Sequence, residues 1–586
     1  MDLYQLENAQ PSRLAALANA YDSLGKANHA HFEAVKETSR WVGTNWSGTA
    51  GKAASSKLKQ TNNALDGSYV AMQATSALLR HAAEAFELAQ SKLTEALAEA
   101  RKAEFTVGAD GSITYPKPSK AEQNDPDYDA PKRASALAER ISKAIAEADA
   151  VDQKVALRLN AIAQLATFDG LNPEAAQIQL DAVNSLDEGL RSLGWPGKDA
   201  TAAEVNAWWK GLTPDEQQKM LTLHPDLLGG RNGIPAEVRD KANRVQLDGM
   251  IKYLEEKPHR SGYDDSKLEG LKALRDKLAA NGAHLNDTDP RTKQPPMFLL
   301  GVGMESHGRA IVSYGNPDTA DNVSAYVPGL NTRLDGHFVN NDVQRARNIY
   351  DAATQNDPTK KNASIVWLDY DAPQINIDGN DPTNDLKVTG TDNAKAGGKT
   401  YSAFMQSLRA THEGAVPAHV TTVAHSYGSL TAGEASKQPG GLYSDDVVII
   451  GSPGMDVGKA SDLGVQDGHV FAAAAKNDKV AQLPDFTPDP NTLWFGTDPA
   501  SAAFGAKRFG APDGPDKGWW GAVGGDIPAH SSYFDAREED VTHQDGSRSS
   551  EVVRHPDGTI EPNESLQAIA QVVSGHGDQV VTVPPR

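Results

Sequence analysis

Residues 420–428 read Val-Thr-Thr-Val-Ala-His-Ser-Tyr-Gly, a β-branched run that ends in a small-x-Ser-x-Gly pentapeptide. A buried strand that reaches the edge of its sheet and turns sharply into a helix leaves such a serine at the apex. The backbone there is strained and tolerates only tiny side chains two residues before and after it. Ala424 and Gly428 hold those positions, so Ser426 is a candidate nucleophile. A hydroxyl attacks a carbonyl carbon only when a base takes its proton, and the base needs a carboxylate to fix its tautomer and stabilise its charge. Asp478 lies just past the apolar run His469–Ala474, and His530 lies in the loop Asp526-Ile-Pro-Ala-His-Ser-Ser-Tyr-Phe534 ahead of a closing helix. Serine, acid, histidine is the chain order that a strand–elbow–helix nucleophile uses.

Rivals exist for two of the three roles. Asp456 and, less well placed, Asp371 also follow strand-like runs. His425 adjoins the serine but points the wrong way in an elbow, while His543, His555 and His576 sit in Gly/Asp/Ser-rich text that reads as exposed loop. Acyl transfer further needs two donors aimed at the developing oxyanion. The backbone N–H of Tyr427 is the natural first donor. The second should come from Pro328-Gly329-Leu330-Asn331, after the strand-like Val323–Val327. Pro328 has no N–H, which leaves Leu330 or Asn331, with Gly329 allowing close backbone approach. Asp378-Gly-Asn-Asp381-Pro-Thr-Asn-Asp385 is acidic and turn-rich but lacks calcium-loop spacing, so no metal or cofactor is called for. Its place after a strand makes residues 375–400 a candidate lid.

The elements that must position these groups follow from periodicity. Up to about residue 290 the text is rich in Ala, Leu, Gln, Lys and Glu at helical spacing. Helices are expected over about 12–41, with Leu14, Leu17, Tyr21 and Leu24 on one face, and over 50–105, 132–168, 172–193 and 266–280. The first two make a hairpin turning at Trp46-Ser47-Gly48, whose apolar stripe must be buried. A small β-hairpin is expected across Phe105–Tyr115, turning on Asp110-Gly111. Thr213-Pro214-Asp215-Glu216 carries an N-cap, a first-turn proline and a capping box. From Pro295 onward short β-branched runs alternate with Gly/Pro/Asp punctuation and helical segments. Strands are expected at Met297–Val302 and Arg309–Tyr314 as an antiparallel pair, then at Val323–Val327, Ala363–Leu368, Val420–Ala424, Asp446–Ile450 and His469–Ala474. Helices are expected over 341–355, 401–413 and 564–573. The economical fold is a doubly wound, mostly parallel α/β sheet behind a large all-α region, partitioned as 1–115, 116–290 and 291–586.

Bulk properties narrow the function. At 586 residues the chain is too long for one core. A formal charge of −21 disfavours nonspecific nucleic-acid or anionic-membrane binding. The absence of cysteine excludes disulfides, thiolate metal sites and a cysteine nucleophile. No stretch approaches the ~18 apolar residues of a membrane span. Met-Asp-Leu-Tyr-Gln-Leu-Glu at the start has neither the basic nor the apolar region of a classical signal peptide, so a cytoplasmic location or non-classical secretion is expected.

Phe298-Leu-Leu-Gly, Gly308-Arg-Ala-Ile-Val, Val327-Pro328-Gly329, Trp367-Leu-Asp-Tyr370-Asp371-Ala-Pro373, Ala424-His-Ser426-Tyr-Gly428 and His530-Ser-Ser-Tyr533-Phe534 together resemble an actinobacterial α/β-hydrolase family of uncharacterised function over about residues 295–575. The resemblance implies a triad of Ser426, Asp478 and His530 and a small-molecule or lipid ester as substrate. Ala424 stands where many hydrolases carry Gly. The N-terminal hairpin is similar to the WXG-motif hairpins of type VII secretion, which implies a helical partner protein or self-association. The export signal of such systems, Tyr followed four residues later by an acid, is not evident: Gln73 follows Tyr69 and Lys257 follows Tyr253 at that spacing. The expected activity is that of a serine hydrolase cleaving carboxylic esters. An interaction protein with a silent or latent hydrolase domain is the alternative.

Overall fold

A computed structural model gives the fold and describes every residue except 1, 109–110, 117–128, 166–194, 198, 258–259, 282–293, 375–389, 483–494, 517–527, 543–547 and 556–557. The helix expected over 172–193, the acidic stretch 378–385, most of the 375–400 lid and His543 lie outside the described residues. The chain divides into two compact units, Met1–Trp195 and Pro196–Arg586.

The first unit is helical. Helices α1 (Pro11–Asn45) and α2 (Thr49–Lys102) form the expected hairpin, and α3 (Ala130–Leu165) packs along α2. Its core is an alanine–leucine seam: Leu78, Ala82, Phe86, Ala89, Leu93 and Leu97 of α2 meet Leu137, Ile141, Ala144 and Ala148 of α3. The stripe expected to bury α1 is only partly used, since Leu17 and Leu24 remain exposed. Small residues, Ala18 and Gly25, face α2 instead and let the two backbones approach, with the Ser76 hydroxyl donating to the Ala18 carbonyl at 2.8 Å. Trp41 and Trp46 at the hairpin turn are 62% and 49% exposed. Paired strands at Thr106–Val107 and Ile113–Thr114 form the small β-hairpin.

The second unit begins with helices α4 (Ala202–Gly211), α5 (Pro214–Leu223), α6 (Ala236–Glu256) and α7 (Gly262–Ala280). Thr213 and Glu216 form the anticipated capping box ahead of α5. An eight-stranded sheet follows: β1 (Met297–Gly303), β2 (Arg309–Tyr314), β3 (Asn322–Val327), β4 (Asn362–Leu368), β5 (His419–His425), β6 (Asp446–Ile450), β7 (Val470–Ala473) and β8 (Lys507–Arg508). Spatial order is 1-2-4-3-5-6-7-8; β1–β2 and β2–β4 pair antiparallel and the remaining pairs are parallel. Helix α8 (Asp342–Asn356) packs with α11 (Glu564–Val573), and α9 (Asp392–Thr411) packs with α10 (Tyr427–Ser436). The parallel strands β3 to β6 are buried along nearly their whole length, which is why β5 and β6 read as near-continuous β-branched runs rather than alternating ones.

The compositional change near residue 295 falls inside the second unit. Leu247, Met250, Leu254, Leu271, Leu274 and Leu278 of α6 and α7 share one core with the sheet. Helix α6 also satisfies the outer edge of β1. The Leu299 N–H donates to Asp240 at 2.7 Å, Asn243 donates to the Leu299 carbonyl at 2.9 Å, and Arg244 donates to the Met297 carbonyl at 2.9 Å. An open edge of unpaired amides invites pairing with other chains, and these side chains close it. Among the described residues no helix is long and apolar enough to cross a membrane.

Candidate active site

Strand order reverses between β3 and β5, because the chain crosses from β3 to β4 on one side and reaches β5 on the other. The carboxyl ends at such a switch point form a crevice. Pro328–Asn331 follows β3 there, and Ser426 follows β5.

Ser426 has φ 55° and ψ −133°, a region that non-glycine residues occupy only when their surroundings over-determine it. Those surroundings are present. The Ser426 N–H donates to the Ile450 carbonyl of β6 at 3.1 Å, and its carbonyl accepts the Ser429 N–H at 3.0 Å and the Ser429 hydroxyl at 2.6 Å. The small residue required at 428 has a direct cause: a Cβ on Gly428 would lie 2.2 Å from the Val327 carbonyl oxygen.

Asp478 and His530 meet beside this elbow. The carboxylate is wholly buried and lies 2.9 Å from His530 Nδ1 through both oxygens. Oδ1 also accepts the N–H groups of Val480 at 2.9 Å and Ala481 at 3.2 Å, and Oδ2 accepts the Tyr533 hydroxyl at 2.7 Å. Burial alone would raise this carboxyl's pKa. The charge of His530 and the hydrogen bonds from His530, Tyr533 and the amides outweigh it and hold the pKa down to about 2. Asp478 is therefore an acceptor throughout, and His530 Nδ1 must carry a proton to reach it. In the neutral imidazole the unprotonated nitrogen is then Nε2.

The loop after β3 presses on the serine. A Cβ on Gly329 would lie 2.5 Å from Ser426 Cβ and 2.9 Å from Oγ. The buried Tyr370 hydroxyl anchors the loop by donating to the Pro328 carbonyl at 2.7 Å. Of the two amides anticipated as second oxyanion donor, that of Asn331 is engaged elsewhere: it donates to the Pro373 carbonyl at 2.9 Å. Asn331 itself has φ 62°, in the left-handed region. Leu330 is the remaining expectation.

The family model described as alpha/beta hydrolase matches residues 304–488. An uncharacterized protein of Mycobacterium tuberculosis is 36% identical over 239 residues, 38% of this chain and 78% of the relative. One from Mycobacterium bovis gives the same values. The chain belongs to the alpha/beta hydrolase family. A further uncharacterized protein of M. tuberculosis is 28% identical over 434 residues, 69% of this chain and 60% of its own length, so this chain spans less than two thirds of that relative. No solved structure matches it.

The rival acids Asp456 and Asp371 and the rival base His576 are engaged by other partners. Asp456 pairs with Lys437, Asp371 pairs with Arg309 at 2.9 Å, and His576 pairs with Asp357 at 3.2 Å. His425 is buried and reaches a partner that the pentapeptide alone does not reveal. Its Nε2 lies 2.7 Å from the His530 carbonyl, and its ring lies against the His530 ring with centroids 4.5 Å apart. Because a carbonyl only accepts, Nε2 must carry the proton. Burial first of all, with His530 and Arg345 nearby, pushes the His425 pKa far below the ordinary histidine value, so the ring is neutral. Arg345 is itself held by Asp342 at 2.8 Å and by the Tyr326 hydroxyl at 3.1 Å. No spacing rule links Tyr326, Asp342 and Arg345 to the site. Tyr533, three residues after His530, does have such a signal, since that spacing puts both on one side of a helical turn.

Proposed function

We propose that this protein is a serine hydrolase that cleaves a carboxylic ester through an acyl-enzyme. The observation that carries the proposal is the strained backbone of Ser426, at the strand–helix junction beside a buried Asp478–His530 pair. In this reading His530 Nε2 takes the Ser426 proton as Oγ attacks the ester carbonyl carbon. The negative charge moves to the carbonyl oxygen, where the N–H groups of Tyr427 and Leu330 receive it. The C–O bond to the leaving group then breaks as His530 returns the proton to the departing alkoxide. A water molecule deprotonated by the same nitrogen hydrolyses the acyl-serine and regenerates the hydroxyl. Asp478 stays ionised and stabilises the imidazolium. An ester is favoured over a peptide because no feature of the sequence marks a peptide subsite.

A fluorophosphonate probe tests the reading. It should label the folded protein at Ser426, and Ser426→Ala should abolish labelling and lower p-nitrophenyl ester turnover by at least about a thousandfold. A folded protein that resists labelling would instead favour an interaction protein whose hydrolase domain is silent.

A further inference from the structure

Tyr533 has no exposed surface and its hydroxyl is engaged on two sides. It accepts the Ala475 N–H at 2.8 Å and lies 2.7 Å from Asp478 Oδ2. A phenol carries one proton. With an amide donating to its oxygen and a carboxylate on the other side, that proton can only point at Asp478. The direction of the bond is therefore fixed by chemistry. The chain behind the ring is fixed too, because the Ser565 hydroxyl donates to the Tyr533 carbonyl at 2.9 Å.

We propose that Tyr533 is a positioning residue that holds the Asp478 carboxylate in place and limits how much of its charge reaches His530. This rests on the Ser426–Asp478–His530 reading above. The carboxylate is divided among His530, Tyr533 and two amides, and each donor withdraws part of its negative charge. Removing the hydroxyl leaves that charge more available to the imidazolium, so His530 should hold its proton to higher pH. A base that protonates at higher pH is silent over a wider acid range. Among the described residues, His425, neutral and buried, faces His530, with Arg345 acting on His425 and Arg586 on Tyr533. Removal of the hydroxyl changes none of them directly. Tyr533 does not act as an acid or base itself, because burial and the adjacent Asp478 keep its proton bound far above the ordinary tyrosine range.

The test is an NMR titration of His530 in the full chain, with its signal assigned by its loss in His530→Asn. Tyr533→Phe should move the titration upward by about half a pH unit, and the acid limb of fluorophosphonate labelling should move with it. The maximal labelling rate should fall about tenfold. In an Asp478→Asn background Tyr533→Phe should no longer move the His530 titration, because the charge on which the hydroxyl draws has been removed. An unchanged titration in folded Tyr533→Phe, or an equal shift in the Asp478→Asn background, would overturn the inference. If the Phe variant fails to fold, replacement of tyrosine by 3-fluorotyrosine keeps the packing and makes the phenol a stronger donor. The His530 titration should then move downward, and a stationary one overturns the inference. Failure of the wild-type protein to label would sink the hydrolase reading alone, since the titration judges Tyr533 without any turnover.

Discussion

His425 ties the proposed nucleophile closely to the proposed base. It is the residue before Ser426, and its side chain grips the main chain of His530 while Asp478 grips the ring. The same strand end thus sets the positions of Ser426 and of the His530 main chain. Its neutrality matters as much as its bond, because a second positive ring 4.5 Å away would oppose charging of His530. His425→Phe keeps a flat ring but loses the donor. Labelling of Ser426 should slow by about ten- to a hundredfold while the melting temperature changes little. His425→Gln can place an N–H near the same carbonyl and should recover most of the rate. If Phe and Gln label equally fast, the bond to the His530 carbonyl has no role in holding the base. The meeting of Asp478 with His530 was legible in the sequence because Asp478 follows a late strand and His530 lies in the loop before the last helix. Asp342 and Arg345 share helical i,i+3 spacing, but their contacts with Tyr326 were not legible, since Tyr326 lies on a strand 16 and 19 residues away in the chain.

At the scale of elements, strands and helices emerged close to their expected bounds where large apolar side chains carry the packing, as at Asp446–Ile450 and Glu564–Val573. Pattern reading failed where packing used something other than large apolar side chains. Helix α1 meets α2 through Ala18 and Gly25, so the Leu17 and Leu24 stripe reads as a core face and is not one. Helix α6 is joined to β1 through polar groups, and its hydropathy gives no sign that it caps a sheet edge. Asp240 is the central group of that cap, accepting the Leu299 N–H and pairing with Arg244 at 2.8 Å. Asp240→Ala strands a buried amide and frees the guanidinium from its partner. Urea unfolding should report a loss of about 1–3 kcal/mol with an unchanged slope. A loss within experimental error would mean that the edge is closed by packing rather than by these hydrogen bonds.

Across the whole molecule, composition and compactness disagree about where the hydrolase begins. Composition changes near residue 295, yet the sheet's core includes Leu247, Met250, Leu254, Leu271, Leu274 and Leu278, which precede it. A chain beginning near 290 would expose the apolar surface those leucines cover and leave the Leu299 N–H and carbonyl of β1 without partners. Exposed apolar surface beside an open sheet edge leads to aggregation rather than folding. A chain of residues 196–586 keeps both the shared core and the edge cap, and matches the second compact unit. It should therefore be monomeric by size-exclusion chromatography, unfold in one cooperative step and label at Ser426. The 290–586 chain should be insoluble or unfolded by circular dichroism. Comparing 196–586 with the full chain then measures whether the helical unit restrains the site. Faster labelling of the shorter chain would identify the helical unit as an inhibitor, and equal labelling would assign it a role outside catalysis. A well-folded, labelling 290–586 chain would show that α6 and α7 are dispensable for the sheet, contrary to the core they share with it.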